Sequence, residues 1–134
     1  MEALIAGIQN ATGLGPILAI TAGVSIGIFM GAVPGLTAAM AIALLAPITF
    51  GLDPLTAVAF LIGIYKGGTF GGSISAILLN VPGSPEATAT AFDGYPMSKS
   101  GRAKQALQMA LLASVCGAIL ADLMLFAVSG PFSK

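Results

Sequence analysis

Fifty consecutive residues, Ala3 to Leu52, carry no charged side chain. A helix that crosses about 30 Å of hydrocarbon needs about 20 apolar residues, so this run holds two crossings. Pro34-Gly35, a strong turn signal, divides them. Further uncharged runs cover 54–65, 67–85 and 105–121. Five basic and five acidic residues, 7% of 134, cannot coat a water-soluble surface. The same count excludes a disordered chain, which needs low hydrophobicity and high net charge. With net charge zero there is no basic patch for nucleic acid. The sequence predicts an all-α, polytopic integral membrane protein in contact with the lipid bilayer.

Enzyme chemistry is poorly supplied. There is no histidine and one cysteine, so a zinc site, a Ser-His-Asp triad or a Cys-His pair is not available. Cys116 sits in an apolar run and is silent on redox compartment. Lys66-Gly67-Gly68-Thr69 lacks the upstream glycine spacing of a phosphate-binding loop. The start Met1-Glu2 has no basic region of a secretory leader. No enzyme, cofactor or metal centre is expected.

Along the chain, residues 1–13 suggest a short interfacial N-terminus. Spanning helices are expected at 14–33, 36–52, 54–68 and 101–129, four in all. In the first, Gly15, Ala19, Gly23, Gly27, Gly31 and Gly35 recur every fourth residue. Such a small-residue face lets membrane helices approach closely; lining a substrate path is the other reading. Pro34 and Gly35 turn the chain. Gly51 ends the second helix, Asp53 caps the third and Pro54 occupies its first position.

The segment from Lys66 to Ser73 holds four glycines, each costing about 1 kcal/mol in a helix relative to alanine. A helix break is therefore expected there. Residues 70–93 are expected to form a re-entrant hairpin, with 80–85 as its tip; the alternative is an ordinary loop. Short apolar segments interrupted by Gly and Pro point to a transporter's binding site. At the tip, the Asn80 amide could hold a cation such as sodium, donate to a carboxylate, or simply end a helix. Pro82 and Gly83 set the turn. Ser84 could cap the returning arm or bind an anion at its N-terminus. Ser73 and Ser75 offer hydroxyls, or bond the carbonyl one turn back. Gly71 and Gly72 allow close approach. Lys66 either attracts an anion or snorkels from a helix end.

Asp93 is expected to close a turn, and 94–100 to form a loop. Lys99, Arg102 and Lys104 form the one basic cluster, which places 94–104 in the cytoplasm and the N-terminus in the periplasm. Lys66 then falls near the cytoplasmic side. Asp122, about 30 Å along the last helix from Arg102, reaches the opposite interface.

The run Gly63-Ile-Tyr-Lys-Gly-Gly-Thr-Phe-Gly-Gly-Ser-Ile-Ser-Ala-Ile-Leu-Leu-Asn-Val-Pro-Gly-Ser-Pro85 is followed by Ala91-Phe-Asp-Gly-Tyr-Pro-Met97 and preceded by Met30-Gly-Ala-Val-Pro-Gly35. This ordered series resembles the large membrane subunit of tripartite tricarboxylate transporters, the TctA-like family, over roughly 14–129. Many members carry a second aromatic residue where this chain has Lys66. The resemblance implies a bacterial inner-membrane secondary transporter of inverted-repeat fold. It implies a small membrane subunit and a periplasmic solute-binding protein as partners, a carboxylate substrate, and a proton or sodium gradient as driving force. It also implies a longer protein with two related halves, of which this chain matches the first part of the first. The competing expectation is a truncated or split membrane fragment that associates with a partner and does not transport alone.

Overall fold

The computed structural model describes Gly7 and residues 9–132, with side chains described as far as Val128. The expected N-terminal segment 1–13 lies mostly outside the described residues, although 9–11 are helical. The described chain is all-α. Its helices are α1 (Leu14–Gly31), α2 (Ala38–Leu45), α3 (Pro54–Leu79), α4 (Ala87–Met97) and α5 (Ala103–Phe132). A 3-10 segment, Ala46–Gly51, extends α2. A tight turn, Ser98–Arg102, joins α4 to α5.

The breaks follow from local chemistry. Pro34 withholds a donor, and Gly35 takes φ +91°, so α1 cannot continue. Thr37 restarts the chain as a helix, its Oγ1 accepting from Met40 N–H at 3.2 Å. Asp53 caps α3, its Oδ2 accepting from Thr56 N–H at 3.0 Å, with Pro54 behind it. That expected stop-start signal is present as written in the sequence.

Between α1 and α3 the sequence promised one spanning helix over 36–52. The structure divides it into eight α-helical and six 3-10 residues. Pro47, at the start of the 3-10 segment, removes a helical donor. The tighter, longer-rise geometry brings the pair to about 24 Å. That is about the distance the chain must return from Gly31 to Pro54.

The return distance is fixed because α1 and α3 run parallel. A Cβ on Gly23, Gly27 or Gly31 would lie 2.3, 2.4 or 2.1 Å from the carbonyl oxygens of Phe60, Ile64 and Gly68. Reciprocally, a Cβ on Gly63, Gly67 or Gly71 would lie 2.6, 2.3 or 2.5 Å from those of Ile20, Val24 and Ile28. Each step of four on one helix matches a step of four on the other, in the same direction. Two glycine faces thus interlock, backbone on backbone.

This packing corrects the expected break at 66–73. α3 is one helix of 26 residues, about 39 Å long. The glycine penalty applies to an isolated helix. Here Gly63, Gly67 and Gly71 admit α1, Gly68 admits Ala38 of α2, and Gly72 admits Ser84. An unbroken helix also keeps every backbone group bonded where water is absent.

The expected 94–100 loop is likewise replaced. Residues 94–97 complete α4, and only Ser98–Arg102 turn, around Gly101 at φ +80°. α1, α3 and the stretch Ala87–Val128 are long and apolar enough to cross a membrane. Gly101 divides the last of these into α4 and α5. The chain is a multi-pass membrane protein.

Candidate functional site

After Leu79 the chain does not leave the bundle. Asn80 adopts φ 57°, ψ 27° and closes α3 with its N–H on Ala76 O at 3.1 Å. It takes the helix-end role the sequence allowed; among the described residues it is the non-glycine with positive φ. Residues 81–84 then run back along α3. Gly83 N–H reaches Gly72 O at 3.4 Å. This short non-helical segment, bent at Gly83 and Ser84, returns the chain from Asn80 to the level of Gly72, eight helical residues or about 12 Å back along α3.

Gly83 sits where three backbones meet. A Cβ there would lie 2.6 Å from Gly31 O and 2.9 Å from Gly72 Cα. Ser75 Oγ donates to Gly72 O at 3.0 Å, so this hydroxyl is already committed. Ser84 Oγ is buried and makes no well-aligned hydrogen bond, but it interacts with the Glu86 carboxylate. Ser84 O accepts from Ala87 N–H at 3.1 Å, which starts α4.

From Ser84, α4 runs in the direction of α3, bringing Gly94 onto Ile77. α5 then runs antiparallel to both. The three helices border an open cavity of about 480 Å³. Its polar groups are Ser73 from α3, Thr90 and Asp93 from α4, and Ser114 from α5, set among Ile77 and Met109. A second hollow of about 360 Å³ lies between the return segment and α4, bounded by Asn80, Pro82, Phe92 and Tyr95.

The predicted residues therefore separate into groups. Gly72, Ser75, Gly83 and Ser84 meet in one cluster. Ser73 faces the large cavity, while Asn80 and Pro82 face the smaller one. Gly71 packs on α1 and borders neither. Asp93, expected only to close a turn, lines the cavity. Pro34, Gly35 and Asp53 mark chain turns and helix ends, as expected.

Lys66 departs furthest from expectation. It stands at the midpoint of α3, with Nζ 3.8 Å from Asp122 Oδ1 on α5. The expected separation, Lys66 near one interface and Asp122 at the other, is thereby corrected. α3 continues from Lys66 to Leu79, about 20 Å, so Lys66 lies well away from the basic turn and level with Asp122 on the antiparallel α5. Sequence reasoning also missed Thr90 and Ser114. The available signal was helical: Lys66, Ser73 and Ile77 stand seven and eleven residues apart, on one face of an unbroken helix.

Among the described residues no cluster of three or more His, Cys, Asp or Glu side chains could hold a metal. Asp53, outside the spans, is held below its ordinary carboxylate value by Thr56, through side-chain and then backbone hydrogen bonding.

Residues 17–134 match the family model described as tripartite tricarboxylate transporter TctA family. A protein of Agrobacterium vitis, described as an uncharacterised 52.8 kDa protein in the TAR-I ttuC' 3' region, is 45% identical over 74 residues. That match covers 55% of this chain and 15% of the relative's length. No solved structure matches.

Proposed function

The chain belongs to the TctA family of tripartite tricarboxylate transporters, and from that premise we propose that it forms part of the translocating membrane subunit of a carboxylate uptake system. In this reading the substrate is a small di- or tricarboxylate. A periplasmic solute-binding protein delivers it, a small membrane subunit completes the complex, and a proton or sodium gradient drives alternating access in the bacterial inner membrane. The basic turn carrying Lys99 and Arg102 lies in the cytoplasm by the positive-inside rule. α1 and α3 then enter from the periplasm.

One observation carries this reading. The backbone of 81–84 is non-helical and lies against Gly72, inside the length of a spanning helix. Such backbone is tolerated at membrane depth only within protein or beside a wet cavity. It ends at the start of a half-helix, the arrangement in which transporters place anionic substrates. The hairpin expected at 70–93 becomes 80–97 in this reading, because α3 is unbroken to Leu79. Its inward arm is non-helical, and its outward arm is α4. Ser73, Thr90 and Ser114 supply hydroxyl donors to a cavity of ligand size.

Cysteine accessibility on intact cells tests it. In a Cys116→Ala background, Ser98→Cys is expected to react only from the cytoplasm. Ser84→Cys is expected to react weakly and to be protected by citrate or succinate. Strong reaction of Ser84→Cys from outside, indifferent to carboxylate, would mean that the 80–84 segment opens to the periplasm and that the orientation and the site assignment are wrong.

A further inference from the structure

Between its ends, each spanning segment is almost free of charge. α1 has none, α3 has only Lys66, and α5 beyond Lys104 has only Asp122. These two are paired at 3.8 Å, at the mid-depth of α3. Ionisable groups at that depth are costly unless they face protein or water, and they mark ion and substrate paths. The pair is also loose. It is longer than a charge-assisted hydrogen bond of about 2.7–2.9 Å, and its side chains are 45% and 71% exposed. Lys66 shares the α3 face that lines the large cavity, about two turns, or about 10 Å, from Ser73. Neither Lys66 nor Asp122 lines that cavity; a ligand reaches the ammonium only by passing beyond Ser73 and Ser114.

We infer that Lys66 and Asp122 form a counter-ion exchange pair. A ligand carboxylate takes the Lys66 ammonium, and the displaced Asp122 carboxylate takes a cation, either a proton or sodium. The charge balances: one ammonium and one carboxylate become two neutral pairs, one cation entering with each ligand carboxylate. An unpaired carboxylate at this depth is too costly to persist, so carboxylate binding and cation uptake are one event. The neighbouring elements carry few competitors. Titratable groups are Tyr65 on α3, Asp93 and Tyr95 on α4, and Lys104 and Cys116 on α5, with none on α1 or α2. This inference rests on the carboxylate-transport reading and adds to it the residues that couple the two fluxes.

The test is citrate and succinate binding to the full-length protein in nanodiscs. Sodium is varied at fixed pH, then pH at fixed sodium, with free-ligand titration subtracted. The wild type is expected to bind roughly tenfold more tightly per tenfold rise in the limiting cation, the mark of one-for-one linkage. The arm that responds identifies proton or sodium. Asp122→Asn is expected to keep binding and lose this dependence. Lys66→Gln is expected to weaken binding at least about tenfold, the worth of a lost charge-assisted contact. The neutral double variant Lys66→Gln/Asp122→Asn leaves no stranded charge, and its thermal stability controls for folding. It is expected to bind as weakly as Lys66→Gln. Linkage that persists in Asp122→Asn, or wild-type binding by the double variant, overturns the pair alone. Wild-type protein that binds neither probe at any cation concentration overturns the carboxylate reading, and the pair with it.

Discussion

One helix, α3, has two unlike faces. Towards α1 it presents Gly63, Gly67 and Gly71, which interlock with Gly23, Gly27 and Gly31 at backbone distance. Towards α5 it presents Lys66, Ser73 and Ile77, which border an ion pair and an open cavity. The first face is dry and leaves no room for a side chain. The second sets a few polar groups among apolar ones and is incompletely filled. The contrast assigns different work to each. A glycine interlock holds two helices as one body, because backbones cannot slide past each other's carbonyls without separating. A cavity with spare volume and loosely held charges can admit a ligand and repack around it.

Breaking the tight face is expected to have the largest effect. Gly67→Val places a Cβ 2.3 Å from Val24 O, a backbone atom that cannot step aside. The helices must part, at a cost of about 3 kcal/mol or more, the upper end for overpacking. Thermal unfolding of the purified protein should show it, with loss of folded protein in the membrane. A Gly67→Val protein as stable as wild type would mean that α1 and α3 are not held this way.

Filling the loose face should do the opposite. Ser114→Leu adds apolar volume to a cavity that already exists. Its stability should stay within about 0.5 kcal/mol of wild type, the usual range away from packed features. Carboxylate uptake into proteoliposomes should fall by at least tenfold, because the ligand space is lost. If uptake survives, the 480 Å³ cavity is not on the substrate path. If stability falls as far as in Gly67→Val, the two faces do not differ in kind.

The dry face was legible in the sequence, and the wet one largely was not. Small residues every fourth position from 15 to 35, all glycine but Ala19, announced a packing surface. Its partner was equally visible at 63, 67 and 71, but the expected helix break at 66–73 hid the periodicity. Glycine propensity describes a helix standing alone. It carries no information about a neighbour whose backbone fills the missing side chain's space. The same error concealed the cavity, because Lys66, Ser73 and Ile77 share a face only if the helix is continuous. The Lys66–Asp122 contact was hidden differently. Depth along α3 was counted from a presumed end at 68, and that measure failed once α3 extended to Leu79, while the count along α5 from Arg102 holds because α5 is one helix. By contrast, the Asn80 helix end, the Pro34-Gly35 turn and the Asp53 cap depend on a few adjacent residues and were readable in place.

That last feature provides the smallest predicted effect and the sharpest check on the glycine interlock. Asp53 starts α3 by accepting from Thr56 N–H, outside the span and in water. If the dry face alone fixes the helix's register, the cap is nearly redundant. Asp53→Ala should then lower thermal stability far less than Gly67→Val and leave uptake intact. The carboxylate is held below its ordinary value of 3.8 when folded. Its contribution is therefore fully present above that value, and is lost only as the pH falls through the lower, folded value. Between neutral pH and mild acid the cap should add no pH dependence. Asp53→Asn, whose amide oxygen can still accept from Thr56 N–H, should keep wild-type stability near neutrality and flatten only the acid limb of the stability curve. An Asp53→Ala protein that unfolds as readily as Gly67→Val would show that the α3 N-terminus, and not the glycine interlock, holds this half of the bundle.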